Sequence, residues 1–125
     1  MKRSAGLLLG VAVFALLTVP ARAQDAAEGE KIFKRVCSAC HIPSADGPKR
    51  LGPSLFGIVG RHSGTIEGFR YSEANKKADV TWTPEVLDKY LTEPKAMIPG
   101  TTMAFAGVKK DDERKNLVAY LQSLK

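Results

Sequence analysis

Cys37-Ser38-Ala39-Cys40-His41 is the stretch on which the reading of this chain turns. Two thiols three positions apart lie along one helical turn, where each can add to a vinyl group of a single haem. The histidine beside the second thiol is then placed to ligate the iron. Other uses of the pair fit less well. A redox dithiol expects a preceding strand within a mixed α/β pattern, and none is legible here. A zinc site needs two more ligands, yet the rest of the chain offers no other cysteine and only His62 as a second histidine. One haem c, attached through two thioethers, is the expected cofactor.

The second axial ligand comes from a short list: Met97, Met103 or His62. Methionine often does no more than fill a gap in a core. Met103, however, follows Pro99-Gly100-Thr101-Thr102, a stretch that cannot continue a helix and can carry a thioether back over a porphyrin. Met97 comes just after Pro94, where packing is the simpler role. His62 sits beside Arg61 in a polar, glycine-flanked stretch and reads as solvated. The metal ligands expected are therefore His41 and Met103.

Helices are legible on both sides of the motif. Positions 26–36 place Ile32, Phe33 and Val36 near one face, with Gly29 one turn before Phe33. Thr83 is a good N-cap, Pro84 suits the first helical position and Glu85 favours the positive end of the helix dipole. The helix they open has an apolar face of Val86, Leu87, Tyr90 and Leu91, and Pro94 is expected to stop it. A third helix begins near Asp111 and keeps Leu117, Val118, Leu121 and Leu124 on one side. A short fourth spans 72–77. Between 41 and 71 lie six glycines and three prolines, too broken for regular structure but suited to wrapping a rigid ligand. No run alternates apolar with polar residues. The expected fold class is all-α: three main helices, one short helix and Gly/Pro-rich loops around one haem, with almost no sheet.

The chain starts differently. Lys2 and Arg3 precede an apolar run at 7–19, broken only by Gly10 and Thr18, and Ala21-Arg22-Ala23 offers small residues at a cleavage site. This is the pattern of a secretory signal and is too short for a membrane span. Residues 1–23 are therefore expected to be cleaved. That leaves 24–125 as one soluble periplasmic domain, monomeric and with no integral membrane anchor. The formal charge of +6, from 19 basic and 13 acidic residues, loses Lys2, Arg3 and Arg22 and falls to +3. So small a surplus makes no case for nucleic-acid binding.

Beyond the haem motif, Leu51-Gly52-Pro53-Ser54-Leu55, Gly60-Arg61, Gly68-Phe69-Arg70-Tyr71-Ser72-Glu73-Ala74-Asn75, Pro94-Lys95 and Ile98-Pro99-Gly100-Thr101-Thr102-Met103 occur in order. Together they closely resemble class I cytochromes c, of the mitochondrial and bacterial c2 kinds. The resemblance implies that His41 and Met103 are the axial pair and that the Pro53 carbonyl accepts the ring N–H of His41. It implies that Arg61, Tyr71, Asn75, Trp82 and Thr101 surround the buried propionates, and that the Tyr90 hydroxyl approaches the methionine sulfur. It also implies that Gly29 and Phe33 lie where the first helix crosses the last, against Leu117 and Tyr120. Thr102 and Ala96 stand where mitochondrial members have lysine, which thins the basic face, whereas Lys31, Arg50, Lys95, Lys109 and Lys110 remain at matching positions.

The same resemblance implies a soluble single-haem electron carrier between a cytochrome bc1-type donor and a terminal oxidase or photosynthetic reaction centre. An enzyme such as a small peroxidase needs an open iron site and a distal acid–base group, and no distal histidine is evident. A gas sensor likewise needs a vacant position. A carrier, not an enzyme, is the expectation.

Overall fold

The computed structural model describes residues 24–125, so the expected signal segment lies outside the described residues. Five helices follow in order: α1 (Ala26–Val36), α2 (Glu73–Lys77), α3 (Pro84–Thr92), α4 (Pro94–Met97) and α5 (Asp111–Ser123). Each of the first three is opened by a side chain that accepts backbone N–H groups. Asp25 caps Ala27 and Glu28, Ser72 caps Asn75, and Thr83 caps Val86 with Pro84 behind it. The expectation that Pro94 ends a helix needs one correction. α3 stops at Thr92, but Pro94 also opens the four-residue α4, because a first helical position has no use for the missing N–H.

The core forms where α1 crosses α5. Phe33 and Leu117 are fully buried there, and the Phe33 ring lies 5.4 Å from that of Tyr120. Burying such side chains contributes about 1.5–3 kcal/mol each. The crossing is close because Gly29 has no side chain: a Cβ at that position would lie 1.9 Å from the Asn116 carbonyl oxygen. The Asp25 amide also donates to Asn116 Oδ1 across the same contact, and Arg35 reaches Glu113 at 2.8 Å. Gly29→Ala should therefore lower stability by about 2 kcal/mol, since overpacking outweighs the ~1 kcal/mol that alanine gains in helix propensity. A chemical denaturation midpoint checks this; an unchanged or raised midpoint would mean the helices do not meet at Gly29.

Among the described residues there is no strand, only an isolated antiparallel bridge between His62 and Thr81. Around it, Ser63 donates to Val80, Trp82 to Arg61 and Gly60 to Trp82. The Gly/Pro-rich segment is tied to distant parts of the chain in the same way, as Gly57 N–H donates to the Leu124 carbonyl. These bonds satisfy its backbone without a sheet. No helix among the described residues is long and apolar enough to cross a membrane.

Candidate functional site

The haem motif grows directly out of the end of α1. Cys37 and Ser38 both donate to the Phe33 carbonyl, and Cys40 and His41 both donate to the Cys37 carbonyl. The motif is thus wound into tight turns that continue the helix, and this fixes both thiols and the imidazole relative to one another. Both cysteines are unpaired. Burial pushes the Cys37 thiol up to about 11. Reactive dithiols have lowered thiol pKa values, so this environment does not suit a redox exchange site.

His41 is the best-defined group of the set. Burial holds its pKa below the ordinary value, against the opposing pull of the Pro53 carbonyl. Its Nδ1 lies 2.7 Å from that carbonyl oxygen. A carbonyl only accepts, so Nδ1 carries the proton and the Nε2 lone pair is left as the ligating atom. Gly52 makes this orientation possible, since a Cβ there would come within 2.4 Å of the imidazole.

Met103 approaches from the other side of the sequence, on the irregular segment between α4 and α5. The Tyr90 hydroxyl of α3 donates to its sulfur at 3.8 Å, and its own amide donates to Thr101 Oγ1 at 3.2 Å. Tyr90 packs on Trp82, ring to ring at 4.7 Å, and burial pushes its phenol up to about 12, opposed by a bond with Thr101.

These groups line one cavity of about 480 Å³. All eleven residues singled out from the sequence border it: Cys37, Cys40, His41, Pro53, Arg61, Tyr71, Asn75, Trp82, Tyr90, Thr101 and Met103. Met97 does not; it is half-buried against the core and borders a separate surface depression beside Lys89. His62, read as solvated, is exposed and also borders the cavity, with Nε2 3.3 Å from Asp79. Asn75 and Thr101 spend polar atoms inside the protein, on Ser72 and on the Met103 amide respectively. Gly52, Leu55 and Ile58 were given no role at the site from sequence, and Leu87 and Leu91 were read only as a helix's apolar face. Only the Gly-Pro pair at 52–53 hinted at a close backbone approach.

The lining fits a haem. A largely apolar slot has two thiols and an imidazole along one wall and a thioether on another segment. Arg61 borders the same slot, half-buried. It donates to the Ser54 carbonyl at 2.9 Å and to that of Phe56, and among the described residues it has no carboxylate partner. A partly desolvated cation with no anion beside it suits a ligand that brings carboxylates.

Comparison with known proteins agrees. The family model described as cytochrome c matches residues 26–125. Cytochrome c2 of Blastochloris viridis is 51% identical over 116 residues, covering 93% of this chain and 91% of the relative. Cytochrome c of Chlamydomonas reinhardtii is 52% identical over 102 residues, 82% of this chain and 91% of the relative. Cytochrome c2 of Rhodopila globiformis is 45% identical over 101 residues, 81% of this chain and 94% of the relative. The chain belongs to the cytochrome c family. It is an all-helical haem protein with one covalent haem c, and an electron carrier in kind.

Proposed function

We propose that the protein is a periplasmic shuttle that accepts single electrons from a cytochrome bc1-type complex and delivers them to a terminal oxidase or a photosynthetic reaction centre. Cys37 and Cys40 hold the haem, and His41 and Met103 are its axial ligands. The observation that carries this reading is a pair of groups on one apolar cavity: an imidazole with Nδ1 committed to Pro53 and a thioether in contact with the Tyr90 hydroxyl.

When bound, haem supplies an iron that takes up and releases one electron. The protein's residues determine what kind of centre this is. His41 and Met103 would both ligate the iron, so a substrate could not coordinate without displacing one of them. The thioether favours the reduced metal and raises the reduction potential. The apolar walls act in the same direction by penalising the more highly charged oxidised state. Arg61, Tyr71, Asn75, Trp82 and Thr101 line the same cavity and would surround the propionates. A closed site with a rigid shell suits outer-sphere transfer.

Three experiments test the reading. The ferric protein should show a methionine-sulfur charge-transfer band in the red; a high-spin spectrum instead would favour an enzyme or a gas-binding protein. Oxidation rates with an isolated reaction centre and with a terminal oxidase then separate the two acceptors. Export of 24–125 after cleavage of 1–23 is checked by the N-terminal sequence of the periplasmic protein, which should begin at Gln24.

The basic face is more sharply divided than the sequence alone indicated. Lys31 is paired with Glu28 and Lys110 with Glu113, while Lys109 donates to the Thr92 carbonyl at 2.7 Å. Among the described residues Lys95 and Arg50 make no ion pair, which leaves their charge free for an acidic partner. Lys95→Glu should slow the second-order rate with an acidic partner about fivefold at low ionic strength, with the deficit shrinking as salt rises. Stopped-flow rates over a salt series check this, and a rate indifferent to the change would place the contact elsewhere.

A further inference from the structure

The segment that carries Met103 is hydrogen-bonded at its two ends and only sparsely in between, where Met103 and Phe105 pack against the core. At the front, Ile98 is buried and its amide donates to Pro94, and the Thr101 amide donates to Ile98. At the rear, buried Val108 donates to the Leu91 carbonyl at 2.7 Å. Between them Met103 has its amide bond to Thr101 and its sulfur contact with Tyr90, and residues 104–106 make no hydrogen bond among the described residues. The position of the sulfur therefore depends on how firmly the two ends are fixed.

The rear end carries a feature that the haem site does not explain. Arg114, on the first turns of α5, is only 6% exposed. Its NH1 donates to the Val108 carbonyl at 3.0 Å and to that of Lys109 at 3.4 Å. Its Nε donates to Asp88 of α3 at 2.8 Å, and its NH2 to Asp111 at 2.7 Å. A desolvated guanidinium is retained only where its donors are satisfied, and here two carboxylates and two carbonyls satisfy them. One side chain thus ties the last residues of the Met103 segment to α3 and α5.

We infer that Arg114, held by Asp88, is a positioning residue for Met103: it locks the rear of the ligand segment and sets how readily the sulfur leaves the iron. The inference rests on Met103 being an axial ligand. Asp88 is half-exposed and borders no part of the haem cavity, so removing its charge loosens the lock without cutting into the site. Arg35 provides the contrast, because it joins α1 to α5 through Glu113 and does not itself bond to the segment, although Glu113 also accepts from Lys110 at its rear end.

The test uses ferric holoprotein of the parent, Asp88→Asn, Arg114→Lys and Arg35→Ala. Cyanide binding requires the iron–sulfur bond to break before the iron–carbon bond forms, with no electron transferred, so its rate reports opening of the segment. Asp88→Asn should speed cyanide association about fivefold, the scale of one weakened charge-assisted hydrogen bond, and the red band should fade at lower temperature than in the parent. Arg114→Lys should shift both in the same direction, because an ammonium cannot span carboxylates and carbonyls as the guanidinium fork does. Arg35→Ala should lower the global melt seen by far-ultraviolet circular dichroism and leave the cyanide rate at the parent value. A parent rate in Asp88→Asn overturns the inference, as does an acceleration in Arg35→Ala matching its loss of global stability. If the parent itself lacks the red band, the ligand assignment fails, and that result is distinct from failure of the lock.

Discussion

Replacing Cys37 and Cys40 together with alanine is expected to leave a chain that does not accumulate as folded holoprotein. The two thioethers keep the cofactor in a cavity of about 480 Å³, which Phe33, Leu117 and the other core residues do not fill. At about 24 cal/mol per Å³, leaving that volume empty costs on the order of 10 kcal/mol, comparable with the whole stability of a domain this size. The loss falls on the inner faces of α3 and α5, since Leu87, Leu91, Leu117 and Leu121 all border the cavity. Haem retention after acid–acetone extraction and the far-ultraviolet spectrum are the measurements. A cooperative melt with full helicity from the haem-free double variant would contradict the expectation.

Met103→Ala is expected to abolish the red charge-transfer band, to lower the reduction potential by well over 100 mV and to open the iron to external ligands, for loss of the axial thioether removes the feature that favours ferrous iron. Met97→Leu should do none of these, because Met97 lies outside the cavity and the exchange nearly conserves its volume. Potentiometry of both variants beside the parent decides the matter, and reversed outcomes would mean that the ligand segment has been misread. Tyr90→Phe should act in the same direction as Met103→Ala but to a far smaller degree, as it removes only the hydroxyl that approaches the sulfur.

The covalent motif was legible because its chemistry is local, whereas Pro53, Arg61, Tyr71, Asn75, Trp82, Tyr90 and Thr101 were expected only from the family resemblance. The spacing of Cys37, Cys40 and His41 sets their relation within a single turn, and the prolines and glycines around Met103 mark a segment that no helix can absorb. The capped start of α3 was legible for the same reason, as Thr83 and its partner lie three residues apart, whereas the caps Asp25 and Ser72 emerged only in the structure. α4 was missed because Pro94 serves both to end one helix and to begin another, and position alone does not separate the two uses.

The sequence by itself determined the cofactor, through the spacing of Cys37, Cys40 and His41, and the main helices, both through relations within a few residues. Only the tertiary structure decided which loops close on which. The bonds that pair 60–63 with 80–82, the approach of Gly52 to His41 and the Asp88–Arg114 bond, 26 residues apart, follow from the folded path of the chain. It likewise decided which basic residues keep a free charge, because Lys31, Lys109 and Lys110 are engaged by neighbours while Lys95 and Arg50 are not. A residue type and its spacing state what a side chain can bond. Which partner it meets depends on loop closure, whose entropy is offset only once the haem cavity and its walls form together.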